Sequence, residues 1–471
     1  MQLRDYQSQT IEDIRKAFLK GNRRVLLQLP TGGGKTIISA FMIKTAIEKG
    51  LKVLFLVHLR ELIDQTSNKI KEIGVQHGVI CAGYEQNLEA NCQLAMIQTL
   101  SRRVEKIDFV PDLIITDEAH HSASKTYVNL LARFPRAMGV GLTATPERLD
   151  GKGLKDLYDV IVCGPKMRKL MDEGYLNEYR YMSVPKEINL SEIATSMGDY
   201  NVHEVSEAIE KAGILGDCVD HYREKLEGKK AIVFCTKITH SIEMMNRFVA
   251  AGYKAEHLDG KTIKSEREAI IGRFKSGETK ILCNCSLISE GFDVPDCDGI
   301  IMLRPTKSLG LYLQMCGRAL RKSNEKTIIL DHVGNYKQHG MPDDDRVWSL
   351  EGRKKRKKDN KLEIQIKTCE KCFSVYNGKQ YKVCPHCSYK NESKERSDIQ
   401  EFDGKLIEID INGNRIEVEK NKQGGYTKKS LNKLLYHCKS LSEIQELGRT
   451  LGYKKGWALK VWETRRNYAR S

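Results

Sequence analysis

The 471-residue sequence lacks the features that mark membrane and secreted proteins. No apolar run comes near the roughly 18 residues that a membrane-spanning helix needs. The first five residues, Met1 to Asp5, carry charge from the outset and do not form a secretory signal. We therefore expect a soluble, cytoplasmic protein without a membrane partner.

Disulfide bonds are also expected to be absent. The fourteen cysteines of an intracellular chain should be free thiols or metal ligands. Most of them stand singly in apolar segments, as Cys235 and Cys283 do, where a buried core thiol is the simplest interpretation.

Four cysteines near the C-terminal end depart from this pattern. They form two Cys-x-x-Cys pairs, Cys369 with Cys372 and Cys384 with Cys387. This spacing predicts a compact ribbon around a tetrahedral Zn²⁺ with four thiolate ligands, the alternatives being a redox pair or chance. His386 is interpreted as a bystander. Because four ligands leave no open position, the zinc should be structural.

The positive charge is concentrated at one end of the chain. The 78 Lys and Arg residues exceed the 62 Asp and Glu residues by 16, and residues 346–471 contribute 30 basic against 16 acidic residues. Such an excess suits a polyanionic partner such as nucleic acid. The unbroken basic run 353–358 is either a solvated linker or a source of phosphate contacts that do not depend on sequence.

The segment from Leu29 to Thr36, Leu-Pro-Thr-Gly-Gly-Gly-Lys-Thr, lies between a predicted buried strand and a predicted helix. Its glycines let the backbone curl so that successive N–H groups point at a phosphate chain, and the helix adds its positive end. Lys35 would bind the outer phosphates and the Thr36 hydroxyl would bind Mg²⁺. The alternative is a glycine-rich turn without a ligand, but the context favours an ATP site.

A second candidate element is the acidic pair that ends the apolar strand at 113–116. Asp117 and Glu118 would lie at the carboxyl end of this strand, where open α/β sheets bind ligands. Asp117 can hold Mg²⁺ opposite Thr36, and Glu118 can orient and deprotonate the attacking water. The alternative is a solvated acidic turn.

Residues 230–345 show a second alternation of apolar strands and helices, which predicts another parallel sheet. This part has no phosphate loop, so we do not expect it to bind a nucleotide alone. Arg318 and Arg321 lie three apart and share a helix face. Two guanidinium groups presented together suit a γ-phosphate during transfer, although an exposed basic helix end gives the same pattern.

Taken together, these motifs resemble those of the superfamily-two helicases and translocases. The resemblance rests on the loop at 29–36, the Asp-Glu-Ala-His box at 117–120, Thr143-Ala144-Thr145, and the segments 287–293 and 314–321. It implies that His120 couples the box to neighbouring motifs. It also implies which residues form the sites. ATP would be bound by Arg4, Gln7, Thr31, Gly32, Gly33, Gly34, Lys35, Thr36, Gly291 and Asp293. The catalytic residues would be Lys35, Asp117, Glu118, His120, Gln314, Arg318 and Arg321. The nucleic-acid backbone would be contacted by Arg60, Gln98 and Thr99.

The predicted fold class is α/β, with two tandem RecA-like parallel-sheet domains, a zinc ribbon and a small basic C-terminal domain. In the C-terminal domain, Asn412-Gly413 predicts a hairpin, and Trp457 and Trp462 are expected to pack rather than to stack on bases. The predicted boundaries are 1–165 and 226–345 for the RecA-like domains, 166–225 for a connector, 346–362 for a basic linker, 363–392 for the ribbon and 393–471 for the last domain.

Within the superfamily, the segment 330–335, the ribbon and the segment 452–457 resemble the RadD-type, restriction-enzyme-like DNA helicases. The resemblance implies a DNA helicase or translocase that uses ATP, Mg²⁺ and Zn²⁺, acts on single-stranded or branched DNA and serves repair, recombination or replication. An RNA helicase, an ATP-switched binding protein and the motor subunit of a restriction complex remain as alternatives.

Overall fold

In the computed structural model, the chain separates into two compact units, residues 1–391 and 392–471. The structure describes most of the first unit and the two C-terminal helices. The described ranges are 3–147, 153–183, 193–196, 199–202, 204–205, 214–285, 297–321, 325–351, 366–369, 371–378, 380–390, 435, 440–450, 453 and 456–468.

The first sheet is entirely parallel and has seven strands in the order β3-β4-β2-β5-β6-β1-β7. Its central strands are buried along their whole length, which fits a sheet covered by helices on both faces. The strands are β1 (Arg24–Gln28), β2 (Val53–Val57), β3 (Gly78–Ile80), β4 (Cys92–Met96), β5 (Leu113–Thr116), β6 (Met138–Thr143) and β7 (Val160–Cys163). The helices are α1 (Asp5–Leu19), α2 (Lys35–Glu48), α3 (Arg60–Glu72), α4 (Ile97–Arg103), α5 (Lys125–Ala132) and α6 (Met167–Asp172).

The second sheet is also parallel and has six strands in the order β12-β13-β11-β14-β15-β8. Its strands are β8 (Tyr179–Ser183), β11 (Ala231–Cys235), β12 (Ala255–Leu258), β13 (Ile281–Cys285), β14 (Gly299–Met302) and β15 (Thr327–Asp331). Its helices are α7 (Ile214–Leu226), α8 (Ile238–Ala250), α9 (Lys264–Ser276), α10 (Leu309–Ala319) and α11 (Asn335–His339). The expectation of two tandem parallel-sheet domains is confirmed.

The predicted connector 166–225 contributes to this second sheet. Its strand β8 pairs with β15 at the sheet edge, and the Tyr181 hydroxyl donates a 2.7 Å hydrogen bond to the buried Asp331 carboxylate. A further two-stranded piece, β9 (Thr195–Ser196) and β10 (Asp199–Tyr200), lies in the same segment.

Residues 340–351, here called the strap, run from the second sheet back to the first. Lys166 pairs with Asp345 and Arg168 pairs with Asp343. Leu350 is buried in the core below the first sheet, and its carbonyl accepts a 2.8 Å hydrogen bond from the Leu154 backbone N–H. The strap therefore holds the two sheets together, although it lies far from α2 along the sequence.

The cysteine-rich segment folds as a small ribbon with strands β16 (Ile366–Thr368) and β17 (Val375–Asn377). It is attached to the edge of the second sheet, because the Ser183 N–H donates to the Phe373 carbonyl at 3.2 Å. The Tyr336 and Thr368 hydroxyls also share a 2.9 Å hydrogen bond.

The C-terminal unit contains α12 (Leu441–Thr450) and α13 (Trp457–Tyr468). The Trp457 ring stacks on Tyr453 at 4.3 Å, and Trp457 and Trp462 pack against Ile444 and Ala458. The predicted hairpin around Asn412 lies outside the described residues. Among the described helices, none combines the length and the apolar character needed to cross a bilayer.

Candidate active site and metal centre

The loop between β1 and α2, here called the cradle, is shaped by its glycines. Gly32 and Gly34 have φ values of +83° and +87°, a left-handed conformation that glycine adopts without strain. A side chain at Gly33 would meet the Leu29 Cγ and the Pro30 carbonyl at 2.9 Å. Helix α2 begins at Lys35, directly after the cradle, so its positive end faces the same space.

The start of α1 supports this cradle from one side. The Tyr6 hydroxyl donates a 2.9 Å hydrogen bond to the Gly33 carbonyl. Gln7 is buried, its Oε1 accepts from the Arg4 N–H at 3.0 Å, and its Nε2 lies against Gly34 with no room for a side chain there. The Arg4 guanidinium lies 4.6 Å above the Tyr175 ring. Of the two residues at this helix start that are predicted to bind ATP, Gln7 contacts the phosphate loop, whereas Arg4 contacts Tyr6, Gln7 and Tyr175.

The acidic pair at the end of β5 faces the lysine of the loop. The Lys35 Nζ lies 4.0 Å from the Glu118 Oε1, and both side chains are largely buried. Burial and the neighbouring Glu118 raise the pKa of Asp117 to about 6. Burial opposes ionisation of Glu118 too, but Lys35 and His120 together hold its pKa below the ordinary value.

The backbone of Glu118 is strained. Its φ of +43° and ψ of +54° place it in the left-handed region, which costs a residue other than glycine about 1–3 kcal/mol. Such strain is concentrated at functional sites, where surrounding contacts maintain it. Here the following 3₁₀ turn Ala119–His121 and the contacts of His120 maintain it.

His120 connects the acidic pair with the strand that ends in Thr143. Its Nδ1 lies 3.4 Å from the Glu118 Oε2 and 3.2 Å from the Thr143 Oγ1. Thr143 in turn donates to the Thr145 carbonyl at 3.0 Å. The three motifs are therefore joined by direct polar contacts.

Helix α10 of the second sheet packs directly on the phosphate loop. A side chain at Gly317 would approach the Cβ and Cγ2 of Thr31 to less than 3.0 Å, and one at Gly310 would lie 2.9 Å from the Thr145 Oγ1. Gln314 and Arg318 lie on the same helix and are only 5% and 8% exposed. The prediction that Arg318 and Arg321 share a helix face is wrong, because α10 ends at Ala319 and the backbone of Arg321 pairs with Leu176 beyond it. Gly291 and Asp293 lie outside the described residues.

The predicted nucleic-acid contacts lie at the carboxyl ends of the neighbouring strands β2 and β4. Arg60 is exposed at the start of α3, with its guanidinium 5.5 Å from the centre of the Tyr84 ring. The exposed Gln98 at the start of α4 donates to the His58 carbonyl at 3.2 Å, and Thr99 beside it is half-buried. These segments are therefore adjacent in space.

Some neighbours of the site carry no recognisable motif. The ring of His58 lies against His121, and Tyr175 packs on Tyr6. The sequence gives a weak indication for the two histidines, since His58 directly follows the apolar strand segment 53–57 and His121 directly follows the Asp-Glu-Ala-His box. Tyr175 gives no such signal, because it approaches from a distant part of the chain.

The ribbon brings its four cysteines into one cluster. The Sγ atoms of Cys369, Cys372, Cys384 and Cys387 all lie within 4.8 Å of one another. The separations are 3.5 Å for Cys369 to Cys387 and 3.6 Å for Cys372 to Cys384. Four thiolates at about 2.3 Å from a tetrahedral Zn²⁺ would lie about 3.8 Å apart, so the donor set fits a metal site.

Two family profiles match the chain. The type III restriction enzyme res-subunit family matches residues 1–148, and the helicase conserved C-terminal domain matches residues 210–323. A 51.5 kDa protein of a Lactococcus phage is 36% identical over 406 residues, which cover 85% of each chain. The chain belongs to the superfamily-two DNA helicases. This helicase is accordingly an ATP-hydrolysing enzyme that acts on nucleic acid.

Other relatives of the helicase differ in length. A Saccharomyces cerevisiae protein named as the ATP-dependent helicase IRC3 is 32% identical over 70% of this chain, which spans 51% of the yeast protein. The DNA 3'-5' translocase XPB2 of Sulfurisphaera tokodaii is 28% identical over 71% of this chain and 82% of its own. A structure assigned to an HsdR fragment of a type I restriction enzyme from Vibrio vulnificus aligns with a TM-score of 0.56 at 22% identity, over 72% of this chain and 65% of its own. That likeness concerns the fold.

Proposed function

We propose that this helicase is a motor that moves along DNA and hydrolyses ATP in the cleft between its two sheets. The observation that carries the proposal is the contact of α10 with the phosphate loop, at Gly317 and Thr31. It brings α10, which carries Gln314 and Arg318, against the loop that would hold ATP. A site divided between two bodies can open and close with each cycle of hydrolysis.

On the first sheet, the cradle and Lys35 would bind the phosphates, and the Thr36 hydroxyl and Asp117 carboxylate would hold Mg²⁺. These oxygen donors are the kind that Mg²⁺ prefers. The bound Mg²⁺ would neutralise charge on the outer phosphates. Glu118, whose pKa is held low, would orient the attacking water and accept its proton.

On the second sheet, Gln314, Arg318 and Arg321 would complete the site when the cleft is closed. The fork of a guanidinium suits the charge that develops on the γ-phosphate, and such a residue contributes about 10³–10⁵ in rate. Because α10 belongs to the second sheet, hydrolysis would depend on the relative position of the two sheets.

The surface around Arg60, Gln98 and Thr99, here called the track, would bind the backbone of the nucleic acid. Such contacts position a strand without reading its sequence. DNA, single-stranded or branched, is the proposed substrate, supported by the DNA translocase among the relatives. The basic residues after residue 346 add positive charge, which favours binding to the phosphates of DNA. The cysteine cluster would hold a structural Zn²⁺, since its four thiolates leave no position for a substrate.

The test is steady-state ATP hydrolysis with no polymer and with single-stranded DNA, duplex DNA, forked DNA and RNA. We expect stimulation by at least one DNA form and its loss in Glu118→Gln. Glu48→Gln, an exposed residue at the end of α2, is the matched control and should behave as wild type. Stimulation by RNA alone would overturn the DNA assignment. A rate that no polymer and no Glu118 substitution changes would overturn the motor.

A further inference from the structure

Three imidazole rings, those of His58, His121 and His120, form a continuous row of tilted contacts beside the acidic pair, here called the stack. The centre of the His58 ring lies 4.6 Å from that of His121, and the His121 ring lies 4.1 Å from that of His120. The planes are tilted by 40° and 42°. His58 directly follows β2, whereas His120 and His121 belong to the turn after β5, so the stack joins two neighbouring strands at their carboxyl ends.

One end of the stack contacts the groups proposed to carry out hydrolysis. His120 lies against both Glu118 and Thr143 through its Nδ1. The backbone of Glu118 is left-handed, so its carboxylate position depends on the contacts that hold it.

The other end contacts the proposed track. The His58 carbonyl accepts the hydrogen bond from the Gln98 side chain, and His58 lies two residues before Arg60. A strand bound at Arg60 and Gln98 would therefore act directly on the backbone of His58. Packed rings transmit such a displacement, because close-packed side chains do not compress.

We propose that His58 and His121 are positioning residues that couple polynucleotide binding at α3 and α4 to the placement of Glu118. The proposal rests on the motor function proposed above. In this mechanism the bound strand fixes His58, the stack fixes His120, and His120 holds Glu118 and Thr143 in the arrangement that supports hydrolysis. The coupling passes through ring packing and requires no change of protonation.

The experiment compares His121→Ala, His121→Phe and His121→Asn in the full-length chain. It measures the ATPase kcat with and without saturating DNA, the KM for ATP and the Kd for a labelled oligonucleotide. We expect His121→Ala to reduce the stimulation by DNA about tenfold, within the range of measured couplings, with KM and Kd within about twofold of wild type. Phenylalanine, which retains an aromatic ring, should restore most of the stimulation, and asparagine should not. His58→Ala and His58→Phe should follow the same order.

His77→Ala is the control, since this imidazole binds Ser67 outside the stack and its loss should leave stimulation unchanged. Stimulation of His121→Ala at the wild-type level would overturn the coupling, as would rescue by asparagine but not by phenylalanine. A fall in kcat that is equal with and without DNA would assign His121 to the packing of the site and also overturn it. Failure of wild type to respond to any DNA would instead refute the motor function, and this proposal with it.

Discussion

The packing of α10 on the phosphate loop makes Gly317→Ala a sharp test of cleft closure. The new Cβ would lie closer than 3.0 Å to both the Cβ and the Cγ2 of Thr31. Carbon atoms in ordinary contact are about 3.5–4.0 Å apart, so helix and loop would have to separate by about 1 Å. Gly317 lies inside a helix without a positive φ, so alanine itself is compatible with the backbone there.

The expected effect is on catalysis and not on folding. A displacement of about 1 Å in a catalytic group costs about 10²-fold in rate, which corresponds to about 2.7 kcal/mol. Alanine in place of glycine favours a helix by about 1 kcal/mol, which offsets part of the cost of about 1–3 kcal/mol for the crowded contact with Thr31, so the Tm should change little. We therefore expect the kcat of DNA-stimulated ATP hydrolysis to fall about 100-fold in a protein that remains folded at the assay temperature.

Two further substitutions calibrate this result. Gly272→Ala lies in α9 with nothing within 4 Å of the added Cβ, and it should keep wild-type activity. The Cβ added by Gly310→Ala comes too close to one atom alone, the Thr145 Oγ1 at 2.9 Å, so this variant should have an intermediate effect. The assays are steady-state hydrolysis and thermal unfolding of all three variants. A kcat for Gly317→Ala within about twofold of wild type would show that hydrolysis does not need the described contact.

Three other expectations follow from the rest of the chain. Cys384→Ser should abolish the stoichiometric zinc found by elemental analysis and should lower the Tm. Substitution of the exposed Cys163 should change neither the zinc content nor the Tm. Equal zinc in the two variants would refute the four-thiolate site. Burial and the nearby His221 lower the pKa of His332 to about 3, so the unfolded chain binds a proton between pH 6.5 and 3 that the folded chain does not. The contribution of His332 to the free energy of unfolding is therefore fully present above pH 6.5 and declines below it, by about 2 kcal/mol at pH 5. His332→Asn should flatten that part of the dependence of the unfolding free energy on pH, as measured in denaturant titrations. Leu350→Ala should lower the free energy of unfolding by about 2–3 kcal/mol and speed protease cleavage within 340–351. An unchanged digestion pattern would contradict the anchoring of the strap by the buried Leu350.

The local parts of the site could be predicted from sequence because the physics that forms them is local. An apolar strand, three glycines and a helix start define the cradle at 29–36 within eight residues. The same holds for Asp117 and Glu118 at a strand end, and for two close cysteine pairs. The alternation of strands and helices likewise predicted both parallel sheets, and this prediction is confirmed.

The contacts between distant segments could not be predicted in this way. The pairing of β8 with β15 joins residues almost 150 positions apart, and its hydrophobic pattern fits any buried edge strand. The proximity of Gly317 to Thr31 depends on the relative placement of two sheets. The acidic residues at 343–345 look like a solvated turn until Lys166 and Arg168 are seen opposite them. The catalytic and DNA-binding roles of the individual residues stay predictions.

The strap gives the cleft a second crossing of the chain. One crossing is the segment between β7 and β8. The other is the strap, which is anchored by the buried Leu350 and by the ion pairs of Asp343 and Asp345. The two halves are thus joined as a ring, in which they can rotate about the crossings but cannot drift apart. A separation limited in this way keeps the effective concentration of one half at the other in the millimolar range. Reclosure after each opening is then an intramolecular event whose rate does not depend on how dilute the protein is.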